Sequence, residues 1–425
     1  MTPLRYGLLG RTLGHSYSPL IHRLLGLPGY ELFPMEEEAL PGFLASGDLG
    51  GLNVTIPYKK TVLPYCHSLS PAARRLGNVN TLLFDRQGLI HGHNTDYAGF
   101  LYMMDRAGLE LGGKKVLVLG SGGAAQTVRL AALDRGAAQV VEISRTGADH
   151  YGNLYRHRDA QLLINATPVG MHPREGEAPL SLEELPGLEG VADLIYNPLR
   201  TRLLQEAAAR GLPTAGGLAM LAAQGREASR LFQGREIPPE EVPRVCRLLQ
   251  QHNENLLLVG MPGSGKTTVG QLLAQRMGRP LVDTDRRLLE ETGRTPAQWI
   301  TQEGEEAFRR QESRIVREAA GGSGLVIATG GGAVLDPENR ESMGRGSRVY
   351  WLQRPLKLLA REGRPLSGDL EALYRRREPL YRAVADRTVD AGGDPQDIAA
   401  WMEEEFYAYL GTEWAEPQPA GDPGA

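Results

Sequence analysis

The stretch from Leu256 to Thr267 reads LLLVGMPGSGKT, four apolar residues followed by a glycine-rich loop that closes on Lys-Thr. It matches G-x-x-x-x-G-K-[ST], and a helical pattern from Lys266 to Met277 follows it. The backbone N–H groups of a loop between a strand and a helix form a concave site for phosphate oxygens. The lysine reaches the β- and γ-phosphates, and the threonine hydroxyl lies on Mg²⁺. The stretch therefore predicts a P-loop domain that uses ATP and Mg²⁺.

Short apolar strands alternate with helical stretches along the rest of the chain. Continuous apolar strands are typical of parallel sheets that helices cover on both faces, so the predicted fold class is α/β. The clearest predicted strands are Val116–Leu119, Val140–Ile143, Leu256–Val259 and Leu325–Ala328.

Composition bounds the possible functions. The chain has 425 residues, enough for two or three domains, and its net charge of −4 does not favour a nucleic-acid or membrane-surface role. The two cysteines, Cys66 and Cys246, are too far apart in sequence for a metal motif or a disulfide framework. No apolar run approaches the roughly 18 residues of a membrane helix, and the first residues lack signal-peptide features. We therefore expect a cytoplasmic enzyme with small-molecule partners.

Two breaks divide the chain. Residues 235–243 hold three prolines and three acids, which disfavours a sheet or helix interior. A short helix from Val245 to Gln251 is expected after this junction. Residues 411–425 are rich in Pro, Gly and acids, and we expect disorder there.

A second glycine loop, GSGGAA at residues 120–125, follows the Val116 strand and opens a helical stretch from Ala124 to Arg135. It fits the G-x-G-x-x-A pattern of a dinucleotide site. The next strand ends in Ser144-Arg145-Thr146, which suits the 2′-phosphate of NADP. The alternative is that Glu142, inside the strand, binds a ribose hydroxyl.

Polar clusters precede that loop: HSYSP at 15–19, NVTIPYK at 53–59, NVNT at 78–81 and GHNTD at 92–96. Each cluster alone is consistent with a turn or a helix cap. Together with YNP at 196–198, GLAMLAAQ at 217–224 and NATPVGM at 165–171, they make about the first 235 residues strongly resemble shikimate dehydrogenase.

That resemblance implies reversible reduction of 3-dehydroshikimate by NADPH. Lys59 and Asp96 are implied as the catalytic pair, since hydride arrival at a carbonyl carbon requires a proton donor beside the oxygen. Ser16, Ser18 and Tyr196 suit the substrate carboxylate. The remaining implied substrate contacts are Asn53, Thr55, Asn80 and Gln224. The implied cofactor contacts are Gly120, Ser121, Gly122, Gly123, Ala124, Ser144, Arg145, Thr146, Leu194 and Gly217.

The C-terminal part, from about 254 to 410, is similar to shikimate kinase. The motifs are VDTD at 282–285, FR at 308–309, GGGA at 330–333, RPL at 364–366 and REPLY at 377–381. The resemblance implies that Asp285 binds the ring hydroxyls of the substrate. It also implies that Arg309 and Arg377 bind the substrate carboxylate and that Gly331 makes a backbone contact. Asp283 and Thr267 are implied at the metal, with Asp283 acting through a magnesium-bound water. The implied nucleotide contacts are Gly263, Ser264, Gly265, Lys266, Thr267, Thr268 and Arg364, of which Lys266 and Arg364 are also implied in catalysis.

The sequence departs from both families in three places. The stretch from residue 146 to 165 is short, which indicates a trimmed second half of the nucleotide domain. Gly77-Asn78 replaces the more usual small pair before Val79. Only Glu362-Gly363 separates Arg361 from Arg364, so the predicted lid is short and an adenine contact for Arg361 is not assigned.

The predicted domains are a dehydrogenase at 1–236, a linker at 237–253, a kinase at 254–410 and a disordered tail at 411–425. Within the first, residues 1–100 and the helices from about 217 bind substrate, and residues 101–216 bind NADP. Two alternatives stay open. One half can be a binding or regulatory module, or the first half can oxidise quinate with NAD. The oligomeric state is also open.

Overall fold

The computed structural model describes residues 4–14, 16–359 and 370–415. His15, Arg361 and Arg364 lie outside these ranges, so the predicted lid and its arginines are not placed. Across the described ranges the strands form three sheets, one for each predicted α/β unit.

The first sheet is mixed, in the order β2-β1-β3-β5-β6-β4. Strand β5 runs antiparallel to both β3 and β6, so β3 and β6 point the same way and their carboxyl ends lie at one edge. The strands are β1 (Arg5–Gly10), β2 (Tyr30–Pro34), β3 (Leu49–Val54), β4 (Ser68–Leu69), β5 (Thr81–Phe84) and β6 (Ile90–His93). Its helices are α1 (Ser18–Leu24), α2 (Leu40–Leu44), α3 (Pro71–Leu76) and α4 (Asp96–Arg106).

The second sheet is parallel, in the order β11-β10-β9-β7-β8, as the apolar strand pattern predicts. A short 3₁₀ segment at Tyr151–His157 connects β8 to β9 where an α-helix would complete the usual crossover. The strands are β7 (Lys115–Leu119), β8 (Gln139–Ile143), β9 (Leu162–Asn165), β10 (Gly190–Asp193) and β11 (Thr214–Gly216). The helices are α5 (Gly123–Asp134), α6 (Arg202–Ala209) and α7 (Leu218–Gln233), and α7 packs back against α4.

The third sheet is also parallel, in the order β13-β14-β12-β15-β16. Its central strand is fully buried, which accounts for the unbroken apolar run before the P-loop. The strands are β12 (Asn255–Val259), β13 (Leu281–Asp283), β14 (Val326–Ala328), β15 (Ser347–Gln353) and β16 (Arg387–Asp390). The helices around it are α9 (Lys266–Met277), α10 (Thr284–Thr292), α11 (Pro296–Glu303), α12 (Glu305–Ala320), α13 (Pro337–Gly346), α14 (Leu370–Val384) and α15 (Pro395–Glu413).

The predicted linker is largely a helix, α8 (Glu241–Asn253). It starts four residues earlier than the predicted short helix, because Pro243 lies in the first turn, where a missing N–H costs no intrahelical bond. Val245, Cys246 and Leu249 are completely buried in one core cluster with residues of α1 and α7. Residues 241–253 are therefore a packed part of the fold, in contact with α1 and α7.

The predicted disorder from residue 411 is wrong for the residues that the structure describes there. Helix α15 continues to Glu413, and Trp414 Nε1 donates to Gln250 Oε1 at 2.6 Å. The Arg106 guanidinium lies 4.7 Å from the Trp414 ring centroid. These contacts with α4 and α8 offset the conformational entropy that the chain loses when these residues become ordered. The polar composition alone had favoured disorder. Residues 416–425 lie outside the described ranges.

None of the helices in the described ranges combines the length and apolar character needed to cross a bilayer.

Candidate active sites

Lys59 and Asp96 meet where the first sheet ends. Lys59 follows β3, and its carbonyl accepts from the Val79 N–H at 2.8 Å. Asp96 is the first residue of α4, just after β6. Lys59 Nζ lies 2.6 Å from Asp96 Oδ2, with the side chains 24% and 15% exposed. The structure thus brings together an ammonium and a carboxylate that are both still reachable by a ligand.

Two asparagines hold the start of α4. Asn94 Oδ1 accepts from the Tyr97 N–H at 3.3 Å, which turns Asn94 Nδ2 toward Asn78 Oδ1 at 2.6 Å. Asn78 is 1% exposed, and its Nδ2 has no hydrogen-bond partner among the described residues. The sequence marked Asn78 only as a departure from the usual small residue. In the fold, Asn78 and Asn94 position the helix that carries Asp96.

Asn80 and Gln224 are linked through Thr95. Asn80 Oδ1 accepts from the Thr95 N–H at 2.8 Å, and Asn80 Nδ2 donates to Thr95 Oγ1 at 3.0 Å. Thr95 Oγ1 also lies 3.4 Å from Gln224 Oε1. Residues separated by more than 120 positions therefore share one polar wall beside Asp96.

Asn53 is buried under this wall. Its Oδ1 accepts from Tyr30 Oη at 2.7 Å and from His22 Nε2 at 2.9 Å, and its Nδ2 donates to Thr81 Oγ1 at 3.1 Å. Because Asn53 Oδ1 only accepts, Nε2 carries the proton of the neutral ring, and His22 Nδ1 accepts from Ser229 Oγ at 2.7 Å. Burial lowers the pKa of His22 to about 3, so the ring is neutral. Sequence reasoning missed His22, whose position inside the apolar pattern of α1 gave no functional signal.

The residues predicted for the substrate carboxylate gather at α1. The Ser18 N–H donates to Ser16 Oγ at 3.2 Å, and Ser18 begins that helix. The rings of Tyr17 and Tyr196 lie 5.4 Å apart between centroids. Thr55 is half-buried at the carboxyl end of β3, with its N–H on the Leu9 carbonyl at 2.9 Å.

The first glycine loop turns sharply between β7 and α5. Gly120 has a φ of +104°, and a Cβ there would lie 3.1 Å from Thr167 Cγ2. Ser121 and Gly122 are exposed, and Gly123 and Ala124 begin α5, so their backbone N–H groups face the end of the parallel sheet. At the same edge, a Cβ on Gly217 would lie 2.1 Å from the Leu194 carbonyl oxygen, so only glycine fits there.

The tip of β8 presents Arg145 and Thr146 to solvent, while Ser144 is buried. Glu142 is half-buried inside β8. The Arg145 guanidinium lies at the carboxyl edge of the sheet, where the glycine loop also opens. This position is suited to the 2′-phosphate that distinguishes NADP from NAD.

In the domain built on the third sheet, the P-loop bends through Gly260, Gly263 and Gly265, with φ values of +148°, +84° and +93°. Lys266 Nζ donates to the carbonyls of Gly260 and Met261, each at 2.9 Å. Ser264 is completely buried beneath the loop. Gly263, Gly265, Lys266, Thr267 and Thr268 line a cavity of about 720 Å³ that extends to Asp285 and Arg377.

Thr267 and Asp283 form the predicted metal pair. Thr267 Oγ1 donates to Asp283 Oδ2 at 2.6 Å, and Asp283 Oδ1 caps α10 by accepting from the Asp285 and Arg286 N–H groups at 3.1 Å. In the described part of the chain, His, Cys, Asp and Glu side chains nowhere gather in threes as a protein-only metal site requires. A hydroxyl beside one carboxylate fits Mg²⁺, which takes its other ligands from phosphates and water.

The far end of the cavity carries Asp285, Arg309, Gly331 and Arg377. Arg377 is 4% exposed, and its Nη1 donates to the Gly331 carbonyl at 3.0 Å. Burial lowers the pKa of the Arg377 guanidinium. A Cβ on Gly330 would lie 3.0 Å from Asp285 Oδ1, so this glycine lets the backbone pass close to the carboxylate.

Glu312 is a further residue of this site that sequence reasoning missed. It is 4% exposed, and its Oε2 accepts from Arg309 Nη1 at 2.6 Å. Burial raises the pKa of the Glu312 carboxyl, and Arg309 opposes that shift. Gly304, whose φ is +89°, separates α11 from α12, the helix that carries both side chains. The signal available was the spacing of Arg309 and Glu312, three residues apart on one helix face.

Comparisons with known proteins agree with this geometry. The family described as "Shikimate dehydrogenase substrate binding domain" matches residues 8–82, and "Shikimate kinase" matches residues 262–406. The "Shikimate dehydrogenase (NADP(+))" of Moorella thermoacetica is 36% identical over 270 residues, 56% of this chain and 91% of that protein.

Two solved structures are similar to the first part of the chain. A chorismate mutase/shikimate 5-dehydrogenase fusion protein from Clostridium acetobutylicum gives a TM-score of 0.57 at 35% identity, covering 59% of this chain and 98% of that one. Shikimate 5-dehydrogenase from Thermus thermophilus in complex with NADP(H) and shikimate gives 0.52 at 38% identity, covering 58% and 99%. The chain belongs to the shikimate dehydrogenase family and carries a shikimate kinase domain after it.

Proposed function

We propose that this chain catalyses two consecutive reactions, the NADPH-dependent reduction of 3-dehydroshikimate and the ATP-dependent phosphorylation of the resulting shikimate. The observation that carries the proposal is that each half has a pair of functional polar side chains assembled at the carboxyl end of its sheet. Lys59 meets Asp96 in the first half, and Thr267 meets Asp283 in the second.

In the first site, a bound nicotinamide would supply the hydride that the substrate carbonyl carbon accepts. Lys59 donates the proton that the developing alkoxide takes up, and Asp96 holds the ammonium in place and accepts from the neighbouring hydroxyl. We assign the substrate carboxylate to Ser16, Ser18 and Tyr196. The ring hydroxyls are assigned to Asn53, Thr55, Asn80 and Gln224, with the amide of Asn53 already anchored on His22 and Tyr30.

The cofactor site is proposed over the first glycine loop. The exposed backbone of Ser121 and Gly122 and the start of α5 suit a pyrophosphate, and the Leu194 and Gly217 backbone closes the nicotinamide side. Arg145 is proposed to bind the 2′-phosphate of NADP, in keeping with the NADP named for the relatives. Exposure of Arg145 and Thr146 supports this assignment over Glu142, which is held within the strand.

In the second site, the 3-hydroxyl oxygen of shikimate attacks the γ-phosphorus. Asp285 orients that hydroxyl and takes its proton, the bond to the β–γ bridging oxygen breaks, and ADP leaves. Arg309 and Arg377 are proposed to bind the carboxylate, with Gly331 as a backbone contact. Forked guanidinium groups match a planar carboxylate in two hydrogen bonds. Mg²⁺ would be held by Thr267 and, through water, by Asp283.

We place the enzyme in a reducing, cytoplasmic setting. Cys66 and Cys246 are both free thiols, and burial raises the pKa of each. A raised thiol pKa disfavours the reactive thiolate.

A coupled assay on the purified chain tests the proposal. Supplied with 3-dehydroshikimate, NADPH, ATP and Mg²⁺, the wild-type chain is expected to consume NADPH and form shikimate 3-phosphate. Lys59→Ala should abolish NADPH consumption and Lys266→Ala only phosphorylation from added shikimate. Lys60→Ala, which changes the exposed neighbouring lysine, serves as the control. Consumption of NADPH without phosphorylated product would reduce the second half to a binding module.

The alternative that the first half oxidises quinate with NAD is tested in the same preparation. The proposal expects NADP⁺ with shikimate to be strongly preferred over NAD⁺ with quinate. Arg145→Ala should raise the KM for NADP⁺ and leave that for NAD⁺ unchanged. Equal use of the two cofactors by the wild type would favour the quinate alternative.

A further inference from the structure

Arg354 lies at the phosphate end of the kinase cavity, although no sequence motif marked it. It follows β15 directly, at the carboxyl edge where the P-loop leaves β12, the neighbouring strand. A Cβ on Gly265 would lie 3.7 Å from Arg354 Nη1, and Arg354 lines the same cavity as Lys266 and Thr267. The guanidinium therefore stands against the loop that holds the phosphates.

The backbone before Arg354 is rigidly placed. Trp351 and Leu352 are buried in β15, and the Leu352 carbonyl lies 2.6 Å from where a Cβ on Gly260 would be. Gln353 Nε2 donates to Tyr374 Oη at 3.0 Å, which joins the end of β15 to α14. The backbone at Arg354 is therefore held in place beside the P-loop.

The guanidinium lacks an anionic partner among the described residues. Arg354 Nε is buried without a hydrogen bond, and no described carboxylate lies within ion-pairing distance of the side chain. The other arginines of the cavity are engaged, Arg309 by Glu305 and Glu312 and Arg377 by the Gly331 carbonyl. An unpaired cation beside a phosphate cradle is costly unless an anion completes it.

We infer that Arg354 is a second fixed cation of the phosphoryl-transfer site and binds the β- and γ-phosphates of ATP from the β15 side, opposite Lys266. The inference rests on the kinase function proposed above. A planar guanidinium can bind two phosphate oxygens at once, which an ammonium cannot. Its place beside Gly265, rather than beside Arg309 and Arg377, assigns it to the nucleotide and not to the carboxylate.

Nucleotide binding tests this assignment separately from catalysis. Arg354→Gln is expected to lower the affinity for ADP and for a non-hydrolysable ATP analogue about tenfold or more in calorimetric titration. The reason is that a hydrogen bond to a charged group is lost. AMP affinity and the KM for shikimate should stay within about twofold, and Arg354→Lys should recover part of the loss. Lys357→Gln removes an exposed charge three residues on and should change nothing.

The outcomes separate the two claims. If wild-type chain binds no ADP, the kinase function itself fails. If the wild type binds ADP and Arg354→Gln binds it equally well, the inference about Arg354 is wrong while the kinase function stands. If Arg354→Gln lowers the affinity for AMP as much as that for ADP, Arg354 lies at the nucleoside and the assignment is also wrong. Should the Gln variant fail to fold, Arg354→Lys tests the same claim through a lowered ATP affinity at unchanged dehydrogenase rate.

Discussion

Arg200 of the dehydrogenase half and Glu254 at the start of the kinase half form an ion pair, with Nη2 3.4 Å from Oε1. Arg200 Nε also donates to the Gly344 carbonyl at 2.8 Å, and Nη2 donates to the Ser347 carbonyl. Glu254 is 1% exposed. Burial raises the pKa of the Glu254 carboxyl, and Arg200 opposes that shift. One side chain, two residues beyond the cis Asn197–Pro198 bond, thus attaches the nucleotide domain to the amino ends of the inner kinase strands β12 and β15.

Removing this side chain should uncouple the two halves. Arg200→Ala removes the cation that pairs with a buried carboxylate and the donor to two carbonyls, a loss of about 3 kcal/mol. We expect calorimetry to show the kinase half unfolding at a lower temperature than in the wild type. The matched control is Arg202→Ala, whose exposed pair with Glu341 at 3.8 Å should be worth less than about 1 kcal/mol. Equal effects of the two substitutions would argue against Arg200 as the main attachment.

Asp96→Asn tests the assembled pair of the first site. The amide keeps the size and one acceptor but no longer provides the charge that holds the Lys59 ammonium. General acid–base groups accelerate the reaction roughly 10²- to 10⁴-fold. The kcat for shikimate oxidation should therefore fall by about 10²-fold or more. The KM for shikimate should change much less. Asp105→Asn, on the exposed face of the same helix beside Arg135, is the control. A variant with near-normal kcat would remove Asp96 from the mechanism.

The sequence predicted those features that local periodicity encodes. Helix α9 has the predicted ends, and the predicted strands around Val116 and Leu256 lie within one residue of β7 and β12. A continuous apolar run needs burial on both faces whatever its neighbours are. The order of glycines and charged residues then located both phosphate loops.

Long-range polar partners could not be predicted in the same way. Glu312 lies in a helix rich in acids and arginines, and the local sequence therefore predicts a solvated face. Burial of Glu312 beside Arg309 becomes visible only in the fold. Likewise, the pairing of Asn78 with Asn94 depends on how two loops meet, and the role of Arg354 depends on which strand adjoins the P-loop. Periodicity indicates which face of an element is buried, but not which side chain it meets.

The hydroxyl of Thr267 should set the magnesium requirement of the kinase. Thr267→Val is close to isosteric but removes the donor to Asp283 Oδ2 and the proposed ligand for the ion. A hydrogen bond to a charged group is worth about 1.5–3 kcal/mol, so half-saturating Mg²⁺ should rise roughly 10- to 100-fold. Thr267→Ser, which keeps the hydroxyl, should stay near the wild type. A magnesium titration of the initial rate at saturating ATP and shikimate measures this, and an unshifted midpoint in the valine variant would exclude Thr267 as a ligand.

His22 should make the dehydrogenase half sensitive to acid. The unfolded chain binds a proton at the ordinary histidine pKa near 6.5, whereas burial lowers the folded pKa to about 3. Between these values the unfolded state holds more protons, so stability is complete above pH 6.5 and falls as the pH drops toward 3. The slope is about 1.4 kcal/mol per pH unit, or about 2 kcal/mol at pH 5. His22→Gln can still donate to Asn53 and accept from Ser229 but does not titrate. Thermal midpoints followed from pH 7 to pH 4.5 should therefore fall less steeply in His22→Gln than in the wild type, and parallel curves would show that His22 is not the acid-sensitive group.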